Sequence, residues 1–141
     1  MATTTATITI ASSDIADNSF SVSNTATLTT AGTDTNISET TGLSRKKIAS
    51  ASNLILMQGG NDAGIAEDVT IDKSAKVFIK NHNDRGDGTK FVSIFLAAVQ
   101  IGRLYGGDWM FFPWNATDAK DIKYTASDAT ETTLEYTCFY E

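Results

Sequence analysis

The chain has 141 residues, 41% of them hydrophobic and 9% aromatic, which suits one folded domain and excludes a wholly disordered chain. A net charge of −6 and a pI near 4.6 argue against a nucleic-acid partner, because phosphate binding needs a basic patch. The single cysteine, Cys138, excludes an internal disulfide, and no run approaches the roughly 18 apolar residues of a membrane helix.

Residues 1–44 contain no Lys or Arg, four acids and few large side chains. The opening MATTTATITIASSD lacks the basic start and continuous apolar core of a signal peptide, so secretion by the ordinary route is not expected. Thr5–Ile10 and Phe20–Leu28 alternate at period two. Ile8 and Ile10, then Phe20, Val22, Ala26 and Leu28, share a face. This first third therefore reads as two sparse strands or an extended arm that something else covers.

Residues 45–141 read as the domain core. Arg45-Lys46-Lys47, the only basic cluster, reads as a solvated strand or loop end. Short apolar runs follow at Ile48–Met57, Val69–Ile71, Lys76–Lys80, Phe91–Ala97, Val99–Tyr105, Asp108–Trp114, Lys120–Thr125 and Thr132–Tyr140. Turn signals separate them, among them Gly59-Gly60-Asn61-Asp62 and Gly106-Gly107. Phe91, Ile94, Phe95 and Ala98 also fit helical spacing, but aromatic and β-branched residues favour a strand. Short strands with turns at this spacing predict an all-β fold: one antiparallel β-sandwich or jelly-roll-like domain with an extended N-terminal arm.

No catalytic constellation emerges. His82 is the only histidine, so no two-His metal site exists and a nucleophilic triad would have to recruit that same residue, which reads as a solvated loop residue. No nucleophile elbow, GxGxxG or P-loop is present. The acid pairs Asp14/Asp17, Glu67/Asp68, Asp84/Asp87, Asp118/Asp121 and Asp128/Glu131 all lie in turn-like sequence, where Asp caps turns. The expected protein is not an enzyme and carries no cofactor.

The loop Asn81–Thr89 invites two sharper readings. Asn81, Asn83, Asp84 and Asp87 could supply oxygens to Ca²⁺, although EF-hand spacing is absent. Arg85-Gly86-Asp87 matches a receptor-contact tripeptide, which makes Asn83, Asp84, Arg85 and Asp87 a candidate contact loop. A plain polar turn explains the same residues. The formal glycosylation sequons at Asn36 and Asn115 carry no weight without a signal peptide.

Asp108–Trp114 is apolar on both faces, with Trp109, Phe111 and Pro113 on one and Met110, Phe112 and Trp114 on the other. Phe91 and Phe95 likewise oppose Val92, Ile94 and Leu96. The closing strand is one-sided, with Leu134, Tyr136, Cys138 and Tyr140 against Thr133, Glu135 and Thr137. Two-sided strands in a two-layer sandwich need a second cover, and these residue types are the ones enriched in buried interfaces. Trp109, Met110, Phe111, Phe112, Trp114, Phe91 and Phe95 are therefore candidate subunit-contact residues, with coverage by residues 1–44 as the main rival.

The Gly-Gly-Asp turn, Trp-Met-Phe-Phe-Pro-Trp, Asp-Ile-Lys-Tyr-Thr-Ala and the closing Leu-Glu-Tyr-Thr-Cys-Phe-Tyr-Glu resemble small virion structural proteins of tailed bacteriophages over roughly residues 76–141. That resemblance implies a β-sandwich acting as a capsid decoration (cement) protein or a tail component, located on the virion. It implies as partners further copies of the chain, for example in a trimer, and a major capsid or other virion protein. The alternative is a tail or fibre module that binds a receptor or glycan.

Overall fold

The computed structural model describes residues 4–13, 20–28, 37, 39–48, 52–60, 70–71, 74–86, 88–116, 120–127 and 132–140. Every regular element among them is a strand, as the Thr-rich alternation requires. In chain order these are β1 (Thr5–Ser12), β2 (Phe20–Thr27), β3 (Glu39–Thr40), β4 (Ser44–Ile48), β5 (Leu54–Gly59), β6 (Thr70–Ile71), β7 (Ser74–Asn81), β8 (Val92–Leu96), β9 (Val99–Leu104), β10 (Trp109–Asn115), β11 (Ile122–Ala126) and β12 (Thr132–Tyr140).

The pairing is that of a jelly roll. Leaving aside the two-residue strands β3 and β6, eight strands follow the hairpin β1–β2. The first of them pairs with the last (β4 with β12), the second with the seventh (β5 with β11), the third with the sixth (β7 with β10) and the fourth with the fifth (β8 with β9). Such a pattern arises when one long antiparallel ribbon rolls up on itself. The pairs β12–β7 and β11–β8 then close two sheets, β10-β7-β12-β4 and β5-β11-β8-β9.

The core lies between these sheets. Ala75, Val77 and Ile79 of β7 and Leu134, Tyr136 and Cys138 of β12 meet Met57, Val92, Ile94, Ile122 and Tyr124 from the opposite sheet. Period-two alternation explains this assignment strand by strand. The segment with competing helical spacing is strand β8, whose Val92 and Ile94 face inward while Phe95 faces out.

Two tight connections depend on backbone chemistry. Tyr105–Asp108 crosses from one sheet to the other through a turn in which Asp108 N–H donates to Tyr105 C=O at 2.9 Å. Gly107 has φ +82°, the third-position geometry of a type II turn. Gly106 is needed for space instead, because a Cβ there would collide with the Asp84 carbonyl oxygen. The β8–β9 hairpin turns through Ala97-Ala98, and Ala97 sits at φ +54°, where a Cβ is strained. Ala97→Gly should therefore stabilise the protein by about 0.5–1 kcal/mol, read as a higher denaturation midpoint at unchanged m-value.

Candidate functional site

β10 is an edge strand, not a central one. That explains how it tolerates Pro113, which lacks a ladder donor. Pro113 does not end the strand. It pairs opposite Lys76, and the ladder continues to Asn115.

The seven aromatic and Met candidates separate into three places. Met110, Phe112 and Trp114 point inward. Trp114 is 1% exposed and donates its indole N–H to Lys120 C=O at 2.8 Å, while Met110 and Phe112 pack against the core. Trp114 thus lies in the chain's own interior, with Met110 and Phe112 partly buried beside it. Phe91 and Phe95 lie half-buried on the outside of the β8-containing sheet. There Phe91 packs against Tyr105 at 5.6 Å between centroids and under the Arg103 guanidinium at 4.0 Å.

Trp109 and Phe111 form the third group, on the outer face of the first sheet. The register places Trp109 beside Lys80 and Phe111 beside Phe78, with Lys76 next along β7. Trp109 and Phe78 lie 6.2 Å apart, centroid to centroid, and Trp109 is 50% exposed. Ala6, Thr7 and Ile8 of β1 stand across a cleft of about 360 Å³ from these rings and Lys80. The chain's own N-terminal hairpin thus provides part of the second cover and leaves the rest open.

The outer face continues across the sheet as a polar cluster. Arg45 of β4 donates from Nε to Glu135 Oε2 at 2.7 Å, and His82 Nε2 lies 3.0 Å from the same oxygen. Glu135 is only 8% exposed, so the central strand β12 is buried on both faces, against the one-sided reading of its sequence. The Arg45 hydrogen bond holds its carboxyl below the ordinary glutamate range, aided by His82 and opposed by burial. Stability drawn from this pairing is full above that range and fades as pH falls through it. Glu135→Gln should therefore cost melting temperature at neutral pH and progressively less on acidification, measured by thermal melts across the acid limb.

His82 is consequently not a free loop residue. Its partner is 53 positions away, and the one legible hint was a Glu in the middle of a strand. Asn81 is fully buried. Its Nδ2 donates to Leu104 C=O at 3.1 Å, and its Oδ1 accepts Asn83 N–H at 3.1 Å. Asn83 Oδ1 accepts Thr133 N–H, and its Nδ2 donates to Thr132. Both side chains tie the loop to β9 and β12, and each oxygen already accepts a hydrogen bond within the chain, which counts against a role as a Ca²⁺ ligand. Among the described residues no three His, Cys, Asp or Glu side chains converge as a metal site would require.

Asp84 and Arg85 are exposed, with Arg85 reaching Asp108 at 3.5 Å. Asp87 lies outside the described residues. So do the pairs Asp14/Asp17, Glu67/Asp68 and Asp128/Glu131, together with Asp118 and Asn36. Cys138 is a buried hydrophobe, as its alternating context suggests, and burial pushes its thiol up to about 12. Thiol reagents should leave the native protein unmodified near pH 8 and label it fully once denatured, followed by mass spectrometry.

No family model and no curated protein matches the chain. Its function has to be argued from the faces just described.

Proposed function

We propose that this chain is a non-enzymatic structural protein that assembles with copies of itself on a larger protein surface, most specifically a phage capsid decoration protein. One observation carries the reading: the outer face around Trp109, Phe111 and Phe78 is left partly uncovered by the described residues, with Trp109 half exposed. An open aromatic face on a jelly-roll core suits protein–protein contact, because such rings dominate the buried centres of interfaces. The jelly roll occurs in viral capsid domains, lectins and cupins, so the fold agrees with the reading but does not choose it. A decoration protein repeats one modest contact at many equivalent positions, and linked copies bind together more tightly than one does alone.

The second reading, a tail or fibre module for a receptor glycan, draws on the half-exposed Trp109, whose ring could stack on a sugar. Its weakness is polar. The cleft offers Thr7 and Lys80 as its polar side chains, few to orient the hydroxyls of a sugar. Immunogold electron microscopy on virus particles from cultures carrying this gene tests both. Regular labelling over the shell is expected. Label confined to tail or fibres favours the second reading, and particles without label overturn both.

A further inference from the structure

The β1–β2 hairpin and the outer face of the first sheet are each incompletely covered, and their chemistries are complementary. The hairpin forms its own two-stranded sheet and, among the described residues, pairs with no other strand. One side is a hydroxyl ladder, with Thr7 Oγ1 2.8 Å from Thr25 Oγ1 and Thr9 Oγ1 3.2 Å from Ser23 Oγ. The register puts Ala6, Ile8, Ile10, Val22 and Ala26 on the other side. Ile10 and Val22 are 55% and 57% exposed there. A lone two-stranded ribbon is marginal in water, so an ordered hairpin with such a face needs something to lie against.

The outer sheet face carries positive charge, whereas β1 and β2 carry none. Arg45, Lys47, Lys76 and Lys80 occupy its outward register positions, in a chain whose net charge is −6. Glu135, an acid on that face, is already shared by Arg45 and His82. β1 and β2 hold neither acids nor Lys or Arg, so nothing on the hairpin strands repels that face. Two such cationic faces would repel if they met each other, whereas a hairpin without cations fits one. In its own copy the hairpin approaches the face through Ala6, Thr7 and Ile8 and leaves the cleft between them open.

We propose that the hairpin is an exchange arm: in the assembled protein the β1–β2 hairpin of one copy covers the Trp109–Phe111–Phe78 face of another. Exchange remakes between copies the contact that each chain makes partly with itself, so it opens little new cost. It also lets Ile10 and Val22 be buried along with Trp109. The inference rests on the reading of the chain as a self-assembling protein and names the surfaces that assemble.

Two variants test it, one disabling the arm (Ile10→Asp with Val22→Asp) and one disabling the face (Trp109→Glu with Lys80→Glu). Circular dichroism establishes that each folds. The single change Val22→Asp replaces the arm variant if the double one does not fold. Sedimentation velocity at micromolar concentration should show wild-type oligomers, with association weakened by about tenfold or more in each variant alone. An equimolar mixture should recover a heterodimer, since one intact arm then meets one intact face. Folded variants that stay monomeric when mixed overturn the exchange. An arm variant that still forms oligomers also overturns it and leaves the proposed function standing on a different surface. Monomeric wild type overturns the exchange as well, while the shell-labelling result decides the function separately.

Discussion

Trp114→Ala should lower the melting temperature by about 10 °C or more, the largest loss expected from any single truncation in β10. Removing a buried Trp costs about 3–5 kcal/mol, and at this chain length about 1 kcal/mol corresponds to roughly 3 °C. The position explains why relaxation cannot rescue it. Trp114 packs across the sandwich onto Gly59 of β5, where a Cβ would lie 3.3 Å from the ring and 2.9 Å from Ala116 C=O. The site is built around the indole, so backbone on the far side keeps neighbours from filling the hole. Trp114→Phe separates two contributions, since it keeps most of the ring but leaves Lys120 C=O without its indole donor. It should fall between wild type and alanine. Trp109→Ala, on the half-exposed face, should shift the monomer's melting temperature far less. Differential scanning calorimetry on all three variants checks the order, and equal losses for Trp109 and Trp114 would contradict the assignment of faces.

That contrast shows what the sequence could convey. Period two divides Trp109 and Phe111 from Met110, Phe112 and Trp114 without any coordinates. It does not say which set faces the core, because both sets are apolar and the choice depends on which strands pair. The outcome was fixed by Val77 and Ile79 of β7, unambiguous inward residues whose neighbours in register are Phe112 and Met110. The all-β class and the sandwich were legible for the same local reason, since alternation and turn residues act over a few positions. Strand order was not, because β4 meets β12 across about 90 positions, a distance at which propensity is silent. The buried outer face of β12 was hidden by its polarity. Glu135 and Thr137 look like solvent-facing residues until Arg45, His82 and Thr40 arrive from other elements.

Asn81→Asp should destabilise the fold by about 3 kcal/mol or more at neutral pH, although the two side chains have nearly the same shape. Asn81 is 0% exposed and joins four parts of the chain. Its amide nitrogen reaches Leu104 C=O and, at 3.4 Å, Lys90 C=O. Its backbone N–H donates to Asp108 C=O and its C=O accepts Gly107 N–H, both at 2.9 Å, which fixes the end of β7 to the Tyr105–Asp108 turn. A carboxylate would turn an oxygen toward two carbonyl oxygens and bury an unpaired charge. Burial raises the folded-state pKa of such an Asp above its unfolded value of about 3.9, so the deficit should be small in acid and grow as pH rises. The Glu135→Gln penalty runs the same way for a different reason: there the wild type loses a stabilising pairing in acid, whereas here the variant sheds a buried charge. Urea titrations of wild type and both variants between the acid limb and neutrality should show each penalty growing as pH rises, with the larger one at Asn81→Asp. If Asn81→Asp were instead tolerated at neutral pH, Asn81 would be reachable by solvent or a cation, and the Asn81–Thr89 loop would regain its claim as a binding site.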